Sequence, residues 1–294
     1  LSDIADDILK QQILLDIRVP RVLFAFVAGA GLSLCGMVFQ AMFHNPLATP
    51  FTLGVASGAS FGAACTVFLG INVSLFGFDI ITIGAFIGAL VAITFVFFIS
   101  QLQRGFSSET LLLTGVATSF FFSSLILFIQ YLSDMTDSFM IMRWLMGGLT
   151  SASYHSLLQL IPVVTVSTAI ILWLSRELNL LMAGDDIALS RGVSVRQVRY
   201  LLFFSTSLCV GGIVALSGPI GFIGMMVPHI CRLIIGTDHR WLTPATIMFG
   251  GGFLILCDGI ARLLIAPAEI PVGIITTLLG GPFFLWLLIK RRQG

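Results

Sequence analysis

The chain has 294 residues, of which 57% are hydrophobic and only 10% charged, with a formal net charge of +1. A soluble domain carries roughly a quarter charged residues, so this composition, with a mean hydropathy of +1.05, excludes that class and indicates an integral membrane protein. The near-zero charge also argues against a nucleic-acid partner, which would demand a surplus of Lys and Arg.

The sequence begins at Leu1 with no signal-peptide grammar, and residues 1–21 form a polar entry with Asp3, Asp6, Asp7 and Asp16. Pro20 stands where a helix can begin, so a first membrane span is expected over about residues 22–42. The prolines of Asn45-Pro-Leu-Ala-Thr-Pro50 break it, since neither can continue a helix. A second span of small residues covers about 53–70, with Gly54, Gly58 and Gly62 four apart as a packing face. After a turn at 72–79, a third span covers about 80–102 and a fourth about 111–132. The link between these two contains Ser107, Ser108 and Glu109, which read either as a helix cap or as a constriction in a substrate path.

Residues 139–149 read as a short interfacial helix anchored by Arg143 and Trp144 and stopped at Gly147-Gly148. The fifth to ninth spans follow at about 156–174, 200–216, 220–236, 242–265 and 272–289. The sixth and seventh are divided at Ser217-Gly218-Pro219, and the ninth ends against Lys290-Arg291-Arg292. The expectation is an all-α, polytopic membrane protein with nine visible spans in a single domain, residues 1–294.

One polar island stands out. Residues 176–199 carry Arg176, Glu177, Asp185, Asp186, Arg191, Arg196 and Arg199, whereas 144–175 and 200–231 contain no Asp, Glu, Lys or Arg. Such an island between uncharged tracts is a water-side loop joining two spans. Asp185 can cap a short helix that Gly192 ends, and Ser194 can cap the next one. The loop reads either as an ordinary solvated connection or as a docking knob for an aqueous partner.

If the C-terminus is cytoplasmic, ten basic residues lie inside (Arg104, Arg176, Arg191, Arg196, Arg199, Arg232, Arg240, Lys290, Arg291, Arg292) and five outside (Lys10, Arg18, Arg21, Arg143, Arg262), which accounts for all 15. That asymmetry favours a cytoplasmic tail and places the polar island inside the cell. Nine spans then put Leu1 outside, so a further helix is expected upstream. On the outer rim Arg18 and Arg21 read as interfacial anchors or as a basic docking patch. Asp258 and Arg262, four apart, can pair on one helix face.

The chain carries no GxxxxGK[ST] loop, no HExxH and no CxxC. Its five cysteines (Cys35, Cys65, Cys209, Cys231, Cys257) lie in apolar tracts and read as small buried hydrophobes. Work done by this protein must draw energy from a partner or an ion gradient.

Several blocks in register carry a family likeness: Ile17-Arg-Val-Pro-Arg21, Gly29-Ala-Gly-Leu, Gly36 to Gln40, Asn45-Pro-Leu-Ala48, Leu53-Gly54 to Gly58-Ala59, Arg143-Trp144 to Gly147-Gly148, Gly218-Pro-Ile-Gly-Phe-Ile-Gly224, Pro228-His229 to Arg232, Thr237-Asp-His-Arg240, Asp258 to Arg262 and Glu269-Ile-Pro-Val-Gly273. From Ile17 to the C-terminus the chain resembles the iron-chelate and vitamin B12 permease family, membrane subunits of ATP-driven importers. The resemblance implies a type II ABC importer permease fold with ten helices and a homodimer around a central path, in the bacterial inner membrane. It also implies two copies of a cytoplasmic ATP-binding cassette subunit that hold ATP and Mg, and a periplasmic or lipid-anchored substrate-binding protein. The chain itself would need no cofactor or metal and would not be an enzyme. The resemblance assigns Gly184, Asp185, Asp186, Arg191, Gly192, Ser194 and Arg196 to ATPase coupling. It assigns Arg18, Arg21 and Arg262 to binding-protein docking, and Ser107, Ser108 and Glu109 to the inner gate. Arg191 departs from the family, which usually has an apolar residue before that glycine. The expected cargo is an iron–siderophore, with haem, cobalamin or a molybdate-type oxyanion as others. The rival reading is a transporter driven by an ion gradient.

Overall fold

A helix that is apolar all round can rest only inside other helices or in lipid. Helix α1 (Val19–Met42) takes the first course, with 19 of its 24 residues buried. In this computed structural model, which describes residues 10–46, 48–71, 73–75, 77–102 and 108–291, α1 is the axle about which the other helices pack. Its small residues allow this. A Cβ on Gly36 would lie 1.8 Å from the Gly224 carbonyl oxygen, and one on Gly29 would lie 2.4 Å from that of Gly250. Backbone meets backbone at both crossings.

The remaining elements are α2 (Val55–Phe68), a two-stranded antiparallel hairpin of β1 (Ser74–Leu75) and β2 (Phe78–Asp79), α3 (Ile80–Leu102), α4 (Ser108–Leu132), α5 (Met135–Leu145), α6 (Tyr154–Trp173), α7 (Ser175–Ala183), α8 (Asp185–Ser190), α9 (Val195–Ser217), α10 (Ile223–Ile235), α11 (His239–Leu263) and α12 (Val272–Arg291). Helices α6, α9, α10 and α11 surround α1, whereas α2 and α3 form a close pair flanked by α4 and α9. Among the described residues six helices are long and apolar enough to cross a membrane, and three shorter apolar ones accompany them. They correspond one for one to the nine expected spans. Large apolar side chains such as Phe120 (72% exposed) and Tyr131 (86%) on α4 point outward, as lipid-facing or partner-facing residues do.

Four local expectations change. The first helix does not start at Pro20 but runs unbroken from Lys10 to Met42. A π-helical stretch, Ile13–Arg18, precedes the proline, and the wider turn accommodates the missing N–H that would otherwise break the ladder. The short helix begins at Met135 rather than 139, because Asp134 caps it by accepting from the Asp137 N–H at 2.8 Å. The turn at 72–79 contains a strand pair that no alternation announced. Of the three glycines spaced four apart, Gly58 and Gly62 on α2 do face Gly88 and Gly84 of α3, whereas Gly54 is the left-handed cap before it at φ +79°.

Loops at one end of the bundle lock together. The Gly148 N–H donates to the Ser217 carbonyl (2.8 Å) and the Gly273 N–H to the Gly147 carbonyl (3.2 Å). These bonds tie the ends of α5, α9 and α12 into one knot. Helices α7 and α8 occupy the opposite end, about 36 Å away by the rise of a 24-residue helix.

Candidate functional site

The polar island folds as predicted in outline. Helix α7 seats Leu178 and Leu181, at 0% and 1% exposure, in the main core, and α8 adds Ala188 at 0%. The six residues of α8 also leave Ile187 (47%) and Leu189 (58%) exposed, flanked by exposed Asp186 and Arg191. Exposed apolar residues on a charged loop end are the anatomy of a docking knob. The sequence reading weighed the charges and missed these two. Their signal was available, because a helix of six residues that buries Ala188 must turn its neighbours outward.

The capping expectations fare differently. Gly184 (φ +124°) and Gly192 (φ +81°) hold left-handed backbone on either side of α8, where a Cβ would be strained. Asp185 does not cap. Gly184 is the N-cap, and the Asp185 carboxylate instead accepts from Arg199 Nη2 of α9 at 2.8 Å. Ser194 sits at the start of α9 without a side-chain cap bond. Arg196 lies over the Tyr200 ring at 5.3 Å and donates its Nε–H to the Tyr200 hydroxyl at 2.8 Å. The knob is therefore braced against α9 by a salt bridge rather than by a cap.

Two further bonds pin α7 in place. The His44 imidazole, on a residue at φ +49° after α1, reaches the Leu181 carbonyl at 2.8 Å. The Asn179 amide reaches the start of α11: its Oδ1 accepts from the His239 backbone N–H (2.9 Å) and from His239 Nδ1 (2.7 Å), and its Nδ2 donates to Asp238 (2.7 Å). The Arg240 N–H and this amide hold the Asp238 carboxyl below its ordinary value.

At the far end the arginines separate by environment. Arg18 is exposed. Arg21, 9% exposed, is not. Its guanidinium donates from Nε and Nη2 to Asp258, the shortest contact being 2.8 Å, and from Nη1 to Glu269 at 2.8 Å. Asp258, 1% exposed, also pairs with Arg262 at 3.2 Å, as the four-residue spacing suggested. Arg21 is thus held within the chain by its carboxylates, because burying its charge requires that pairing. Beside this network a cleft of about 420 Å³ is lined by Arg143, Trp144, His155, Gln159 and Glu269 among others. Of the expected gate residues, Ser107 lies outside the described residues. Ser108 and Glu109 open α4, and only their backbone is described. Among the described residues no group of three His, Cys, Asp or Glu side chains converges to hold a metal ion.

The model of the FecCD transport family matches residues 2–290. The chain belongs to the FecCD transport family. It is 40% identical over 95% of its length to the hemin transport system permease HmuU of Yersinia pestis, covering 84% of that protein. It is 38% identical over 98% of its length to the molybdate import system permease MolB of Haemophilus influenzae, again covering 84%. An inward-facing transporter described as metal-chelate type superposes with a TM-score of 0.88 at 35% identity, over 96% of this chain and 89% of the other. The PsaBC structure from Streptococcus pneumoniae shares the fold alone, with a TM-score of 0.62 at 15% identity. This FecCD chain is a multi-pass membrane permease with the type II ABC importer fold, and in such transporters ATP is hydrolysed by a separate subunit.

Proposed function

We propose that this FecCD permease is the membrane-spanning subunit of a binding-protein-dependent importer for a metal chelate. An iron–siderophore is the leading cargo, with haem, cobalamin and a molybdate-type oxyanion to be tested beside it. Two copies enclose the path. The α7–α8 hairpin lies on the cytoplasmic side, with the C-terminus, and is gripped by an ATP-binding cassette subunit. ATP-driven closure of two such subunits pushes on α8 and switches the helices between packed arrangements. The carrying observation is the braced knob of α8, which presents Ile187 and Leu189 to water while its roots, Leu178, Leu181 and Ala188, lie in the core. A handle so rooted moves the bundle.

Exposed Arg18 and half-buried Arg262 meet acidic residues of the binding protein at the other end, and Ser107, Ser108 and Glu109 border the inner gate. The test is an Arg18→Glu plus Arg262→Glu change in the assembled complex. Stimulation of ATPase activity by the binding protein falls, and basal hydrolysis by the partner subunit persists. Equal loss of both contradicts the docking assignment. A gradient-driven transporter would carry ionisable groups at mid-membrane. Residues 22–42, 55–68, 80–102, 110–132, 154–173, 200–217, 241–257 and 272–289 contain no Asp, Glu, Lys or Arg; the charged exceptions are Arg232 near the end of the seventh span and Asp258 and Arg262 near the end of the eighth.

A further inference from the structure

We infer that α7, α1 and α11 form one rigid strut that carries movement of the α7–α8 knob to the opposite face, and that Asn179 is the positioning residue that locks its near end. The inference rests on the importer reading above. It concerns what happens between two ends of the molecule that no comparison connects.

A strut needs fixation at both ends and along its length. At the near end the Asn179 amide spends its oxygen and its nitrogen on consecutive residues, His239 and Asp238. That pairing fixes the start of α11 to α7 in direction as well as distance, because a planar amide engaged on both sides cannot swivel. His44 fixes the end of α1 to the same helix through the Leu181 carbonyl. Along the length, α1 and α11 touch backbone to backbone: a Cβ on Gly29 would lie 2.4 Å from the Gly250 carbonyl oxygen. The hydroxyls of Thr243 and Thr246 face Met37 Sδ at 3.9 and 3.7 Å. At the far end Asp258 of α11 holds Arg21 of α1, and Glu269, beyond α11, holds it from the other side.

Each end of this frame has a buried anchor, whereas the outer partners Asp238 and Glu269 are exposed. His239 is 0% and Asp258 1% exposed. A push on α7 therefore displaces α1 and α11 together rather than bending one past the other. It arrives beside Arg262, the arginine proposed above to meet the binding protein. Signalling runs equally in reverse, since a rigid body transmits displacement both ways.

The experiment uses the complete complex of permease, ATPase and binding protein in proteoliposomes. It reads cargo taken up per ATP hydrolysed. Asn179→Leu keeps the branched side-chain shape and removes all three hydrogen bonds. The ratio is expected to fall about tenfold, the scale of losing one hydrogen bond to a charged group. An unchanged ratio, or uptake and hydrolysis falling in step, overturns the inference, because simple destabilisation lowers both together. The second arm replaces Asn179 and Asp238 with cysteine in a Cys65→Ala background and joins them with a short bifunctional thiol reagent. The other native cysteines are buried. Cross-linking is expected to restore the ratio that the unlinked pair has lost. If it instead stops uptake, α7 and α11 must part during the cycle and the strut does not exist. A wild-type complex without ATP-driven uptake sinks the importer reading itself, which is a separate outcome.

Discussion

Asp258 offers a quantitative test of which charges at the Arg21 end are structural. Its carboxylate is 1% exposed and lies between Arg21 and Arg262, whose side chains are 10% and 28% exposed. Removing one member of a buried pair costs about 3–5 kcal/mol, whereas replacing both with apolar groups of similar volume is often neutral or stabilising. Arg21→Met leaves Asp258 with Arg262 alone at 3.2 Å, so the full range of about 3–5 kcal/mol is expected. Asp258→Leu leaves Arg21 with Glu269, which is 40% exposed and solvent-screened, so its cost sits nearer about 3 kcal/mol. The double variant should return to within about 1 kcal/mol of the parent, giving a coupling of about 5 kcal/mol or more, over three decades in the unfolding constant. Equilibrium unfolding in mixed micelles, followed through the four tryptophans, measures all corners of the cycle. Single variants that each cost less than about 1 kcal/mol, the range of exposed pairs, would refute the argument that this pair is structural.

Other expectations follow from the same geometry. Gly36→Ala places a Cβ 1.8 Å from the Gly224 carbonyl oxygen and should cost about 1–3 kcal/mol or more through overpacking. Gly252→Ala meets nothing within 4 Å and should leave the thermal midpoint unchanged. Ile187→Asp, at an exposed position, should hold stability within about 0.5 kcal/mol while co-purification with the ATPase subunit is lost; retained co-purification would remove α8 from the interface. The Asp238 carboxyl is held below 3.8 by the Arg240 N–H and then by the Asn179 amide. Its cap is therefore fully present at neutral pH and is lost only as acidification passes through that lowered value. The thermal-midpoint difference between the parent and Asp238→Asn should be flat from pH 5 to 8, and a step within that window would contradict it.

Much of the fold was legible because each span announces itself by composition. Charge-free runs punctuated by Asn45-Pro46, Gly218-Pro219 and Pro267 leave little freedom in where the helices lie, and the polar island between Arg176 and Arg199 reads as a water-side loop, with docking or plain solvation left open. What stayed hidden depended on partners distant in sequence. Nothing near Arg21 reveals that Asp258, 237 residues on, pairs with it. Nothing near Asp185 reveals that Arg199 outcompetes its capping role. Asn179 was invisible for the same reason: an amide in a charged loop carries no signal until Asp238 and His239 arrive beside it. The π-helical turn before Pro20 shows the opposite limit, where a strong local rule was absorbed by a small local adjustment.

The central claim is that this permease moves cargo only when a separate motor grips the α7–α8 knob. Purified chain in proteoliposomes, alone and with its ATPase subunit and binding protein, tests it by radiolabelled chelate uptake under imposed proton and sodium gradients and under ATP. Accumulation is predicted only with the full complex and hydrolysable ATP. Concentrative uptake by the chain alone, driven by either gradient, would contradict it.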